Sequence, residues 1–331
     1  MSILDTLKDK AKWLNRAIVL PETGDERTLR AAAEIINTGL ARVILIGDLD
    51  EIRHNAGRLG LDLGAAQVVS VRDYPHSAEF VEDLFKRRSQ KGLTMPEARQ
   101  ALGNPLYLGA YLVKNGIADG MVAGAVNTTA DVLRAALHVV GVKRGLKTVS
   151  SSFIMVIPEF MGQEAIFSFA DCAVIPDPTA EQLADIAIGT AQTRRQILGD
   201  EPRVALLSFS TRGSASHELI NKVLMAKAIL EERKVDFAFD GELQLDAAII
   251  PDVARRKAQG STLAGTANTL IFPDLQSGNI GYKLVQRFAK AEAIGPIIQG
   301  LASPIGDLSR GCSWQDIVAT TALVILKTKK E

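Results

Sequence analysis

Two rhythms alternate along the chain. Short aliphatic runs rich in Val, Ile and Leu occupy 16–22, 41–48, 66–71, 119–125, 203–209, 236–242 and 268–274. They are short enough to read as buried strands. Between them lie longer stretches, such as 25–39, 77–90, 181–198 and 217–234, with apolar residues three and four apart. That spacing lays one apolar stripe along a helix. The alternation predicts an α/β fold, with mainly parallel sheets covered by helices. It breaks at GVKRGLKTVSSS (141–152), which places a domain boundary near 145–150. The apolar and aromatic run 150–174 then reads as strands opening a second domain.

Composition narrows the function classes. The 331 residues are 47% hydrophobic and 23% charged, enough apolar matter for a large core and too much for wholesale disorder. Lys plus Arg balance Asp plus Glu at 38 each, so no net charge draws nucleic acid or an acidic membrane. No apolar run approaches the roughly 20 residues of a spanning helix. The segment 1–22 carries charges where a leader would be apolar. A cytoplasmic protein with reduced thiols, Cys172 and Cys312, is the expectation. The sequence lacks G-x-G-x-x-G, G-x-x-x-x-G-K-[ST], H-E-x-x-H and G-x-S-x-G patterns. Its four histidines are scattered, and no metal is expected.

Four segments carry candidate chemistry. In ADGMVAGAVNTTADVLRAAL (118–137) a strand of small residues meets a helix start at Thr128 and Thr129, with Arg134 near. Free N–H groups and hydroxyls there suit an anion, or simply cap the helix through Thr128 and Asp131. LSFSTRGSASHEL (207–219) gathers hydroxyls and Arg212 after a strand, for an oxyanion or a Ser-rich turn. In FPDLQSGNIGYKLVQRF (272–288), residues 273–279 read as a loop, and Lys283 and Arg287 share one face of the helix that follows, as a solvated edge, which the sequence alone favours, or facing an anion. GDLSRGCSWQD (306–316) ends in Ser313-x-x-Asp316, a capping-box pattern opening the last helix.

These segments, with IVLPETGDERTLRAA (18–32), NPLYLGA (104–110), DGELQLDAA (240–248) and GPIIQGLASPIGDLSRGCSWQDIV (295–318), resemble the phosphate acetyl/butyryl transferase family over nearly the whole chain. The Ser-Arg-Gly turn followed by Asp316 is similar to its acetyl branch, in the short form of the family. The resemblance implies two α/β domains with a cleft between them, 1–148 plus 299–331 and 149–298. It implies a homodimer and a reversible reaction, acetyl phosphate plus coenzyme A giving acetyl-CoA plus phosphate. No covalently bound cofactor is implied, and coenzyme A is a substrate. Asp316 matches the base that takes the thiol proton; Arg310 and Ser309 match the groups holding acetyl phosphate. Arg88, with Arg87 beside it, and Arg134 match arginines tied to substrate or coenzyme binding; Thr128, Thr129 and Lys283 join the substrate-binding set. Asn127 and Ala123 depart from a frequent histidine and serine.

Cys312 reads as packed rather than nucleophilic, since no His lies near it in sequence. Asp307 has no assigned role. A butyryl or other short-chain acyl donor, a microcompartment-housed acetyltransferase and an inactive coenzyme-binding regulator remain as competing readings.

Overall fold

The computed structural model describes residues 2–74 and 76–328. The chain divides into two compact units, Met1–Lys143 with Leu301–Glu331, and Arg144–Gly300.

The first unit contains α1 (Ile3–Lys12), β1 (Ala17–Leu20), α2 (Glu26–Asn37), β2 (Arg42–Ile46), α3 (Leu49–Leu59), β3 (Gln67–Val69), α4 (Ser77–Arg88), α5 (Met95–Leu102), α6 (Pro105–Lys114), β4 (Gly120–Ala123) and α7 (Thr129–Val139). The second unit contains β5 (Ser150–Phe160), β6 (Gln163–Ala170), α8 (Ala180–Ile197), β7 (Arg203–Leu207), α9 (Glu218–Glu232), β8 (Ala238–Leu243), α10 (Leu245–Ile249), α11 (Pro251–Lys257), β9 (Thr269–Ile271), α12 (Leu275–Phe288) and β10 (Glu292–Gln299). The chain then returns to the first unit for β11 (Ile305–Asp307) and α13 (Trp314–Leu326).

The first sheet runs β11-β4-β1-β2-β3, and every pairing is parallel. Its central strands are buried throughout, which is why they read as continuous aliphatic runs. Phe80, Leu106, Leu108, Met121 and Val132 fill a core against one face. The second sheet runs β10-β5-β6-β9-β7-β8. Its β6, β9, β7 and β8 are parallel, whereas β5 pairs antiparallel with both β6 and β10. Two clusters cover this sheet, one built on Phe153, Phe169 and Leu270, the other on Leu183, Leu206 and Leu230.

The sequence departs from the structure at 275–279. Ser277, Gly278 and Asn279 look like loop residues, yet α12 begins at Leu275. Asp274 explains this: its carboxylate accepts from the Ser277 N–H at 2.8 Å and starts the helix early. Gly278 is there for packing. A Cβ at that position would collide with the Asp171 carbonyl oxygen.

Candidate active site

In a parallel sheet, loops at the carboxyl ends of adjacent strands share one edge. The loops after β1, β4 and β11 do so here. Gly124 closes β4 with φ +108°, and a Cβ there would lie 2.6 Å from Asp307 Oδ1 and 2.7 Å from the Leu308 nitrogen. Only glycine lets these two loops approach so closely.

The backbone N–H groups of 124–127 do converge on an anion, but the anion belongs to the protein. The Glu22 carboxylate, after β1, accepts from the N–H groups of Gly124 (2.9 Å), Ala125 (2.8 Å), Val126 (3.1 Å) and Asn127 (2.8 Å), and from Asn127 Nδ2 (2.8 Å). This cradle is therefore closed to a ligand, and the anion expectation for it is corrected. Thr128 caps α7, accepting from the Asp131 N–H and donating its own proton to the Asp131 carboxylate at 2.6 Å.

Arg27 joins the same loops. Its Nε and Nη2 donate to the two oxygens of Asp25 at 2.9 and 2.7 Å. Nη2 also donates to the Ala125 carbonyl at 2.7 Å, and Nη1 to the carbonyls of Arg310 and Cys312, both at 2.9 Å. All five guanidinium protons are thus placed. The fork ties the β4 loop to the turn that carries Ser309 and Arg310.

That turn is exposed at Ser309 and Arg310. The Ser309 carbonyl accepts from the Cys312 N–H at 2.9 Å, and its hydroxyl oxygen accepts from the Gly311 N–H at 3.3 Å. The Arg310 guanidinium has no hydrogen-bond or ion-pair partner among the described residues. Asp316 completes the capping box of α13. The Ser313 N–H and hydroxyl donate to Asp316 Oδ2 at 2.7 and 2.8 Å, and the Asp316 N–H donates to Ser313 Oγ at 3.2 Å. Both donors use Oδ2. Oδ1 receives none among the described residues, so capping leaves half of the carboxylate free.

Cys312 is buried behind the turn. Burial raises its thiol above the ordinary value; Arg27 opposes this, and the Asp316, Asp25 and Glu22 carboxylates add to it. A protonated thiol is a poor nucleophile. Cys312→Ala is expected to keep most of its turnover and lose about 1 kcal/mol of stability, read from activity and urea unfolding of the same preparation.

Asp307, 2% exposed at the end of β11, accepts the Thr129 hydroxyl proton at 2.6 Å on Oδ2, and its Oδ1 has no hydrogen-bond partner among the described residues. Burial raises the Asp307 pKa from 3.8 to about 6; the Thr129 hydroxyl and the Leu308 N–H pull it down, and Glu22 pushes it up. Between those two values the folded chain holds a proton that the unfolded chain has released. Stability carried by this group is complete below pH 3.8 and is lost as pH rises through about 6. The loss is on the order of 2–3 kcal/mol. Asp307→Asn should remove this slope and match or exceed the parent's stability above pH 6. Equal slopes for both proteins in urea titrations between pH 4 and 7 would contradict the assignment.

Toward the other end of α7, Arg88 Nη2 lies 2.9 Å from His138 Nε2, and Tyr107 Oη lies 2.9 Å from His138 Nδ1. Arg134 is exposed and pairs with Asp131 at 2.7 Å. The neighbouring Arg87 pairs with Asp83 at 3.1 Å and donates to the Val139 carbonyl at 3.2 Å. Arg87 is thus engaged in holding α4, while Arg88 has donors to spare.

In the second unit, Lys283 donates to Asn279 Oδ1 at 2.7 Å and sits over the Tyr282 ring. The hydroxyl cluster after β7 is satisfied internally. Ser210 Oγ and the Gly213 N–H both donate to Glu242 Oε1 at 2.8 Å, and Arg212 pairs with Asp240 at 3.0 Å. The turn reading accounts for 207–215, with Glu242 as the anion it holds. Among the described residues, no group of three or more His, Cys, Asp and Glu side chains is placed to hold a metal ion.

A family model described as phosphate acetyl/butaryl transferase matches residues 2–325. The chain belongs to the phosphate acetyl/butaryl transferase family. It is 51% identical over 328 residues to the phosphate acetyltransferase of Thermoanaerobacterium thermosaccharolyticum, covering 98% of this chain and 99% of that one. It is 47% identical over 331 residues to the phosphate acetyltransferase of Clostridium acetobutylicum, covering 100% and 99%. The crystal structure of a phosphotransacetylase from Streptococcus pyogenes superposes with TM-score 0.92 at 41% identity, covering 99% of both chains. Within this family fold, Glu22, Asp25 and Arg27 are the residues that sequence reasoning missed. Their only signal was a strand-to-helix loop, PETGDER, unusually dense in charge.

Proposed function

We propose that the chain is a phosphate acetyltransferase, moving an acetyl group reversibly between acetyl phosphate and coenzyme A. The observation that carries the mechanism is that capping leaves Asp316 Oδ1 free, six residues after Arg310, which is exposed like Ser309 and whose guanidinium has no partner among the described residues. Family relatives of the same length, named for this activity, support the reaction.

The chemistry needs little from the protein. A free thiol has a pKa near 8.5, so it is mostly protonated at neutral pH. Asp316 Oδ1 accepts the thiol proton as the sulfur attacks the acetyl carbon. Reference values put a carboxylate about 4 units below a thiol, and the gap closes as the C–S bond forms. The tetrahedral oxyanion then collapses, the acetyl C–O bond to phosphate breaks, and phosphate leaves with the electron pair. Arg310 supplies a planar fork for phosphate and carbonyl oxygens, and Ser309 a hydroxyl donor. Acetyl phosphate already carries a good leaving group, so the attack is direct and no acyl-enzyme forms.

Arg88, Arg134 and Lys283 supply positive charge for the phosphate groups of the substrates. Thr128 and Thr129 belong to the same reading, although both hydroxyl protons are committed to carboxylates; toward a ligand they offer oxygen lone pairs. The reading includes a homodimer working on small molecules, which the family resemblance supports, and a cytoplasmic location, with which two free cysteines agree. Among the described residues no helix is long and apolar enough to cross a membrane.

The test is acetyl-CoA formation by the purified chain from acetyl, propionyl and butyryl phosphate. The expected order of kcat/KM is acetyl first, each added methylene costing about 10-fold or more. No thiol-dependent product from any donor would overturn the function, and butyryl first would overturn the acyl preference.

A further inference from the structure

His138 lies on α7 between Arg88 and Tyr107, and the geometry fixes its proton. A guanidinium only donates, so His138 Nε2, 2.9 Å from Arg88 Nη2, must be the acceptor. The ring proton of neutral His138 therefore sits on Nδ1, 2.9 Å from Tyr107 Oη. Nδ1–H donates, and the Tyr107 oxygen accepts. The tyrosine's own proton must then point elsewhere, and no acceptor for it exists among the described residues.

The surroundings say what that proton meets. Arg88 and Arg134 are the positive charges felt by the Tyr107 hydroxyl, with Asp131 the negative one. Arg134 is already balanced by Asp131, whereas Arg88 has no carboxylate partner among the described residues. A hydroxyl donor beside two guanidinium groups fits an oxyanion with several acceptor oxygens. We propose that His138 is a positioning residue for coenzyme A: it aims Arg88 through Nε2 and turns the Tyr107 hydroxyl through Nδ1, so that both donate to one phosphate of the bound coenzyme. The proposal rests on the acetyltransferase reading, which supplies the phosphate-bearing ligand.

The arrangement works only while His138 is neutral. Burial lowers its pKa below the ordinary 6.5, and the nearby charges of Arg88, Arg134 and Lys91 lower it further. Arg88 approaches from α4, Lys91 from the turn after it, Tyr107 from α6, and Arg134 and Asp131 from α7 itself. Protonation would place a donor at Nε2 facing Arg88 and break that contact. Affinity for coenzyme A then falls on the acid side as His138 gains its proton.

Binding of coenzyme A is measured calorimetrically between pH 5 and 8 for the parent, His138→Gln and Tyr107→Phe, alongside KM for both substrates. Glutamine keeps an acceptor for Arg88 without a proton to gain. The parent should lose coenzyme affinity below the ordinary histidine pKa, beyond the loss shown by His138→Gln, whose comparison cancels titration of the ligand's own phosphates. Tyr107→Phe should raise Kd and KM for coenzyme A roughly 10-fold, the usual worth of a hydrogen bond to a charged group. KM for acetyl phosphate should move less than about 2-fold, well under one hydrogen bond's worth. Identical acid limbs in the parent and His138→Gln, or an unchanged Kd in Tyr107→Phe, would each overturn the proposal. Tyr107→Phe decides alone if His138→Gln does not fold. Parent turnover to acetyl-CoA separates a failure here from a failure of the acetyltransferase reading.

Discussion

Asp316→Asn is expected to lower kcat by about 10²–10⁴-fold, the usual contribution of a positioned general base, with a smaller change in KM. The asparagine carbonyl can still accept both Ser313 donors, at 2.7 and 2.8 Å in the parent, so the last helix keeps its cap. What the variant loses is the oxygen that capping leaves free. Ser313→Ala reverses the experiment: it removes the cap hydroxyl and keeps the carboxylate. That change should cost about 1 kcal/mol of stability and little turnover. Steady-state kinetics with both substrates varied, plus urea unfolding, separates the two roles. An Asp316→Asn enzyme with near-normal kcat would leave Asp316 as a cap alone.

The second large effect falls on stability. Glu22 is 8% exposed and accepts five hydrogen bonds from 124–127. Glu22→Ala leaves four backbone N–H groups without an acceptor, and unmade buried bonds cost about 1–3 kcal/mol each before water enters. A net loss of about 3–5 kcal/mol is expected. That is a large part of the 5–15 kcal/mol that ordinarily separates folded from unfolded chains. Glu22→Gln should lose about 1–3 kcal/mol, because its NH₂ would face donors. Thermal and urea unfolding should show the ranking parent, Gln, Ala. A fully stable Glu22→Ala would mean that water replaces the carboxylate at no cost.

What could be read in advance was local or periodic. Strands such as β1, β2, β4, β7 and β9 announce themselves as aliphatic runs, whereas the three-residue β11, Ile-Gly-Asp, does not. Ser313 with Asp316 announces a cap because the two are three residues apart. Thr128 as the cap of α7 was legible for the same reason. The hidden parts pair residues far apart in sequence. Glu22 meets 124–127 only because β1 and β4 are neighbours in the sheet, and no spacing within PETGDER reveals that. Arg27 reaches residue 310 by the same route. The hydroxyls at 210–214 left a ligand site and a Ser-rich turn equally open because their acceptor, Glu242, lies on the next strand, β8. In both units the conspicuous anion cradle holds the protein's own carboxylate. The turn that remains open, Ser309 and Arg310, holds no such carboxylate among the described residues.

Arg27 explains why that turn can stay open and still be rigid. Its fork fixes the backbone of residues 310 and 312 while leaving the Arg310 side chain free. The cost of ordering the turn is met in the folded state rather than at each turnover, the condition under which a charged clamp acts well on a transition state.

The central claim is direct thiol attack on acetyl phosphate in one ternary complex, and isotope exchange tests it most directly. Labelled phosphate is incubated with the purified chain and acetyl phosphate, with and without coenzyme A, and label entering acetyl phosphate is followed. Exchange only when coenzyme A is present is the predicted result. Comparable exchange without coenzyme A would reveal an acyl-enzyme and contradict the account.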